Sequence, residues 1–265
     1  MKHIFITGAS SGIGLATTQA LLARGDEVWG TSRKVSNLPN HNRFHAVRLD
    51  LRNTDEIDEI FSRTLAEAGH FDVVVNNAGS GHFGPAELLS ASEIAELFEV
   101  LFFSHVRLMQ LALTDMRRRG RGRVINVTSL ATLLPVPFMG AYNAAKSAMA
   151  AFTMSLQIEL DDGNVQVVDV QPADIRTNFN DAVNRNRDAG YEARVAKTWN
   201  AVDKNMKGAP GPELVARAIL NVIDQPNPPM RVLVGDVFQA KIAPFIFRFL
   251  PQRTRIWGLK KYYGI

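Results

Sequence analysis

Apolar residues along this chain fall into two alternating patterns. Short unbroken runs, rich in β-branched side chains, occur at 4–6, 27–30, 44–49, 73–75, 124–127 and 165–170. Such runs suit strands of a parallel sheet covered on both faces. Between them, segments 12–24, 54–68, 91–118 and 141–160 carry apolar residues at helical spacing. Thr54-Asp-Glu-Ile and Ser90-Ala-Ser-Glu place a capping side chain ahead of early acidic residues, which marks helix starts. Strand and helix therefore alternate, and the order predicts an α/β fold: a doubly wound parallel sheet in three α/β/α layers. No repeat or low-complexity linker interrupts the 265 residues, so a single domain over 1–265 is expected.

The pattern changes after the sixth strand. Residues 172–212 are polar, rich in Asn and Arg, and weakly periodic. A stretch this long is unusual as a plain connection, and its place beyond a strand's C-terminal end favours a substrate lid over the alternative, a mobile surface insertion. A helix over 213–223 and a last strand over 231–234 follow. In the tail, 237–265, Phe238, Ile242, Phe245, Ile246, Phe249 and Leu250 keep helical spacing, with Lys241 and Arg248 interleaved and Trp257, Tyr262 and Tyr263 beyond. It is too short and too charged to span a bilayer. Packing over the pocket or a subunit interface is the preferred reading, and contact with a membrane surface the alternative.

Composition narrows the chemistry. The chain has no cysteine, which removes disulfides, thiol catalysis and Cys-ligated metal, and no metal site is expected. Net charge is +4. The basic run Arg117-Arg118-Arg119-Gly-Arg121-Gly-Arg123 sits between an amphipathic helix and a buried strand, so it reads as a helix C-terminus and not as a nucleic-acid patch. The first strand starts almost at residue 1, and a soluble cytoplasmic protein is the expectation.

Candidate chemistry lies in two places. Gly8, Gly12 and Gly14 follow the first strand and open a helix, where small residues let backbone approach a pyrophosphate. At the end of the second strand, where a carboxylate would bind a ribose 2′-OH, stand Ser32 and Arg33. A guanidinium and a hydroxyl there suit a 2′-phosphate, which selects NADP(H). Tyr142 and Lys146 lie one helical turn apart, with Ser129 upstream. A Lys beside a phenol is expected to lower its pKa and make it a general acid/base. The lone histidines His82 and His105 read as packing residues. Leu133, Leu134, Val136, Phe138 and Met139, with residues 80–83, predict an apolar substrate pocket.

Together these motifs resemble the short-chain dehydrogenase/reductase family. The resemblance rests on Thr-Gly-Ala-Ser-Ser-Gly-Ile-Gly at 7–14, Leu49-Asp50-Leu51, Asn76-Asn77-Ala78-Gly79, Ser129, and Tyr142-Asn-Ala-Ala-Lys146, in order over residues 1–177. It implies a Rossmann-type fold with Ser10, Ser11, Gly12 and Ile13 in the phosphate turn. It places Asp50 and Leu51 near the adenine, and Asn77, Ala78 and Gly79 beside the adenosine ribose. It implies Tyr142 as acid/base, Lys146 on the nicotinamide ribose, Ser129 on the substrate oxygen, and Pro172, Ile175 and Thr177 near the nicotinamide. It also implies a homodimer or homotetramer paired through the helices at 91–118 and 141–160.

Two positions depart from the family. The helix after Asn-Asn-Ala-Gly often carries an Asn that supports a proton relay to the Lys; here Leu101 aligns with it, and no Asn occurs between Asn77 and Asn126. Leucine has no hydrogen-bonding side-chain atom. The family's Pro-Gly after the sixth strand is Pro172-Ala173, followed by Asp174. The expected function is NADP(H)-dependent hydride transfer at the carbonyl or alcohol carbon of an apolar small molecule. A weakly active NADP(H)-binding sensor or scaffold is the alternative that Leu101 motivates.

Overall fold

Seven of the strands lie side by side, every neighbouring pair parallel, so the chain must cross back between them, by α-helices except between residues 32 and 44, where a loop with one 3₁₀ turn suffices. The computed structural model describes residues 1–160, 163–185 and 190–265. Its strands are β1 (His3–Ile6), β2 (Glu27–Ser32), β3 (Phe44–Arg48), β4 (Val73–Asn76), β5 (Gly81–Phe83), β6 (Gly122–Val127), β7 (Val165–Pro172), β8 (Val183–Arg185) and β9 (Arg231–Val234). Its helices are α1 (Gly12–Arg24), α2 (Ile57–Ala68), α3 (Ala91–Phe98), α4 (Ser104–Arg119), α5 (Gly140–Glu159), α6 (Glu192–Gly208), α7 (Glu213–Asp224), α8 (Ala243–Phe249) and α9 (Gln252–Tyr262). The main sheet runs β3-β2-β1-β4-β6-β7-β9, and β5 pairs with β8 in a separate two-stranded ladder.

Both faces of the sheet are covered, which is why its strands read as unbroken apolar runs. One face packs on α2, α4 and α5 through Phe5, Phe61, Phe71, Leu108 and Met149; the other packs on α1 and α7 through Ile4, Ile6, Leu21, Ile125, Val215 and Ile219. Strand order reverses between β1 and β4. That reversal opens a crevice at the C-terminal strand ends, the usual ligand position in such sheets.

The expected elements are present with local differences. Segment 54–68 starts as a 3₁₀ turn, and α2 begins only at Ile57. Ser90 does cap α3, accepting from the Glu93 N–H at 3.2 Å while the Glu93 carboxylate accepts from the Ser90 N–H at 2.8 Å. The helix expected over 91–118 is interrupted by a wide π turn at Glu99–Phe103. The described parts of segment 172–212 hold more regular structure than its weak periodicity suggests. It holds β8 and α6, and Trp199 of α6 packs edge-on to Phe83 at 4.9 Å. Positions 186–189 of that segment lie outside the described residues.

Arg118, Arg119 and Arg123 of the basic run have structural partners. Arg118 and Arg119 pair with Asp115 at 2.9 and 2.7 Å, and Arg123 donates to the Val222, Gln225 and Pro226 carbonyls at the end of α7. Phe5, Phe61 and Phe71 form a buried aromatic trio with centroids 5.1 to 5.7 Å apart. Phe61→Ala removes the ring and leaves a cavity, with an expected loss of about 3–5 kcal/mol in urea or guanidinium unfolding. An unchanged midpoint would show that this cluster does not carry the core.

Candidate active site

The turn between β1 and α1 is built around what its glycines lack. Gly12 adopts φ +53°, a left-handed conformation costly for other residues. A Cβ on Gly14 would lie 2.0 Å from the Gly8 carbonyl oxygen, so only glycine lets α1 start this close to β1. Ser11 stands at the N-cap without a side-chain cap bond, and the first turn of α1 has no acidic residue. Its N–H groups and dipole therefore face the crevice and suit a pyrophosphate. The Thr7 hydroxyl oxygen accepts from the N–H groups of Asn77 and Ala78 at 2.9 and 3.0 Å, and the Asn77 amide donates to the Thr7 carbonyl at 2.9 Å. These bonds lock the turn to the end of β4.

Ser32 closes β2 and donates to the Ser10 hydroxyl at 3.3 Å, while Arg33 beside it is exposed. Asp50 follows β3, and Arg52 holds it at 2.6 Å. That pairing keeps the Asp50 carboxyl below its ordinary pKa, with the Arg52 hydrogen bond the largest cause. Leu51 is buried, and its carbonyl accepts from the Ser104 hydroxyl at 2.5 Å. These residues form an arm that leads away from the crevice along the β2 and β3 ends.

Ser129 follows β6, with its hydroxyl accepting from the Ala131 N–H at 3.1 Å. Tyr142 and Lys146 project from successive turns of α5. The Lys146 ammonium is buried and donates to the Val127 carbonyl at 2.8 Å. Burial lowers its pKa to about 8, and the Asp169 carboxylate pulls the other way. The expectation for Tyr142 needs correction: its pKa is raised, not lowered. Burial is the largest cause, a hydrogen bond from Ser129 opposes it, and the Asp174 charge adds to the rise. Lys146 spends its charge on a backbone carbonyl, so the apolar surroundings of the phenol prevail.

Leu101 lies in the π turn, fully buried against Leu97, Ala141, Ala145 and Tyr142. A Cβ on Gly79 would sit 3.2 Å from the Leu101 Cδ2 and 3.9 Å from the Lys146 Nζ. The side chain that aligns with the family's relay position is thus at the lysine end of the site. His105, one turn further along, is wholly buried with its pKa lowered to about 3. Burial is the main cause, the Lys146 charge adds to it, and a hydrogen bond to the Leu101 backbone opposes it. The Nε2 of this neutral ring lies 3.3 Å from the Thr7 hydroxyl. His105 therefore ties the π turn to the cofactor turn. Its sequence context marked it only as a packing residue. His82 is also a core residue, buried on β5.

One cavity of about 450 Å³ gathers these groups. Ser11, Gly12, Ile13, Asn77, Gly79, Ser129, Tyr142, Lys146, Pro172, Ile175 and Thr177 all line it. Thr177 approaches the cofactor turn, since a Cβ on Gly12 would lie 3.5 Å from its side chain. Leu130, Ala131, Leu134, Val136 and Met139 make an apolar wall, whereas Leu133, Phe138 and residues 80–83 do not line it. Phe138 holds φ +61° just before α5, and its carbonyl accepts from the Gly84 N–H at 2.8 Å. The far wall comes from Asn178–Asn180, α6 and the tail, including Val202, Met206, Ile246, Phe247 and Leu250. A chain of polar contacts fixes that wall: Gln239 donates to Asp174 at 2.6 Å and to the Tyr262 hydroxyl at 3.1 Å, and Asn205 donates to the same hydroxyl at 3.0 Å. No sequence motif singled out Gln239 or Asn205.

Comparison with known proteins agrees with this fold. The short chain dehydrogenase family model matches residues 2–188. The chain is 31% identical to 3-ketodihydrosphingosine reductase of Bacteroides thetaiotaomicron, over 99% of this chain and 98% of that one. A short-chain dehydrogenase from Streptomyces avermitilis superposes with TM-score 0.83 at 30% identity, covering 99% of this chain and 96% of that one. A metagenomic short-chain oxidoreductase, solved in complex with NADP, superposes with TM-score 0.72 at 27% identity, covering 88% and 96%. On the family-model match and these relatives, the chain belongs to the short-chain dehydrogenase/reductase family and is an oxidoreductase of that family.

Proposed function

We propose that the protein is an NADP(H)-dependent reductase or dehydrogenase of an apolar carbonyl or alcohol. The observation that carries this reading is the convergence of Ser129, Tyr142 and Lys146 on one cavity whose floor is the glycine turn and whose walls are mostly apolar. Bound NADP(H) supplies or accepts the hydride at its nicotinamide. The N-terminus of α1 holds the pyrophosphate, and Arg33 with Ser32 holds the 2′-phosphate. Lys146 and Thr177 fix the nicotinamide end. Ser129 orients the substrate oxygen, and Tyr142 gives or takes its proton.

The raised pKa of Tyr142 keeps the phenol protonated near neutrality, which suits proton donation during carbonyl reduction. Residues 172–212 serve as the lid, with α6 and the turn after Thr177 closing the apolar end. The relative named 3-ketodihydrosphingosine reductase supports a lipid-like substrate. Exposed Phe103, Met154 and Ile158 on the α4 and α5 side support self-association through that face, as a homodimer or homotetramer. The intact Ser129, Tyr142 and Lys146 favour catalysis over a sensor role, and Leu101 then implies that Lys146 regains its proton by a route without a relay Asn.

Tyr142→Phe removes the proton donor while keeping the ring. Turnover of an apolar ketone with NADPH is expected to fall at least about 100-fold, with NADPH affinity within about twofold; retained turnover refutes the assignment. Arg33→Ala is expected to raise the KM for NADPH about 10- to 100-fold and leave that for NADH nearly unchanged. Equal effects on both cofactors would remove the 2′-phosphate role. For ketone reduction, kcat/KM should be flat below pH about 8 and decline above it as Lys146 loses its charge. Alcohol oxidation should rise with pH over the same range, because it needs the Tyr142 phenolate. A reduction rate that climbs through this range contradicts the roles given to both residues.

A further inference from the structure

The tail has two faces, and the cavity uses only one. The chain from Phe238 runs through a π turn into α8, breaks at Pro251 and returns as α9. Ile246, Phe247, Leu250, Leu259, Tyr262 and Tyr263 line the cavity, and of these Ile246 and Tyr262 also stay exposed. On the other face, Phe245, Phe249 and Trp257 are 66%, 69% and 62% exposed, with Val237 and Ile256 also exposed. The rings of Phe245 and Phe249 touch edge to face at 5.3 Å. Apolar surface of this extent normally meets something other than water.

The charge pattern identifies what it meets. Residues 237–265 contain Lys241, Arg248, Arg253, Arg255, Lys260 and Lys261, and no Asp or Glu. Arg255 is turned inward, donating to the Leu250 and Arg248 carbonyls, and the other five are exposed. An isologous pair of copies meeting on this face would set these cations against their own equivalents. An anionic lipid surface complements them and accepts the aromatic side chains at the headgroup boundary. α8 and α9 have 7 and 11 residues, about 10 and 16 Å at helical rise, far below the ~30 Å of a bilayer core, so the hairpin lies in the interface and does not span. Among the described residues, the stretch long and apolar enough to cross is Ala91–Arg119, and its apolar side is spent on the core beneath the sheet.

We infer that the outer face of the α8–α9 hairpin docks the enzyme on an anionic membrane surface. The inner face of the same hairpin lines the cavity that contains Tyr142, so a lipid-like substrate passes from the bilayer to the site along one structural element. That last step rests on the proposed carbonyl chemistry; the docking does not, and is tested without turnover.

The test is co-sedimentation of the full chain with phosphatidylcholine vesicles, with and without about a third phosphatidylserine. Binding to the anionic vesicles is expected to be about tenfold or more tighter, and to weaken as salt is raised to about 1 M. Phe245→Asp with Phe249→Asp should abolish it while NADPH binding, measured by cofactor fluorescence, is kept. Should that variant misfold, Lys260→Glu with Lys261→Glu replaces it, and should erase the preference for anionic lipid. The inference is overturned if the unmodified chain does not sediment with anionic vesicles, or if neither variant that retains NADPH binding weakens sedimentation. It is overturned equally if the unmodified chain ignores vesicles and Phe249→Asp converts a dimer to a monomer, which gives the face to a second copy.

Discussion

The site depends on the seam between the first glycine turn and the end of β4. Thr7 accepts from two successive N–H groups of the neighbouring strand's exit, and Asn77 returns a bond to the Thr7 carbonyl. This fixes where α1 begins, and so where its N–H groups point. The missing side chain of Gly14 allows the approach; the Thr7–Asn77 bonds hold it. His105 reaches the same Thr7 hydroxyl from the start of α4, beside the π turn, so glycine turn, central strand and long helix share one polar node in an otherwise apolar interior. Buried polar groups in such a node are costly unless paired, which makes the geometry discrete.

The protonation of Tyr142 and Lys146 is set by competition between burial and charge. A lysine near a phenol would by itself favour the phenolate. Here the ammonium donates to the Val127 carbonyl, Leu101 excludes polar atoms from one side, and burial raises Tyr142 while lowering Lys146. Both shifts favour the neutral form of each group, so passing a proton from the Lys146 ammonium to a Tyr142 phenolate discharges both. The π turn carries Leu101 and adjoins His105, so the helix irregularity and the departure from the family pattern fall at the same place. Such turns often mark functional positions.

Strands buried on both faces announced themselves as unbroken apolar runs, and the βα order they imply leaves few topologies. The glycine turn, Ser129, Tyr142 and Lys146 were equally legible, because their spacing encodes a local requirement: a helix start with no room for Cβ, and two side chains one turn apart. Less legible were the π turn, β5, β8 and α6. Three-residue strands leave no periodic signal, and α6 is held by a few contacts, such as Trp199 on Phe83, that do not recur at helical spacing.

The sequence by itself determined the sheet, the glycine turn and the placing of Ser129, Tyr142 and Lys146, since each follows from interactions between residues near in the chain or from strand burial. Only the tertiary structure decided their electrostatics and their enclosure. The Tyr142 shift depends on what surrounds the phenol, including Asp174 from beyond β7. The cavity's far wall depends on Gln239, Tyr262 and Asn205 meeting across segments distant in sequence. The tail's composition showed an amphipathic character but not which side was which. Folding turned one face onto the cavity and left the aromatic and basic face outward, because the Asp174–Gln239–Tyr262 contacts fix the hairpin's rotation against the sheet.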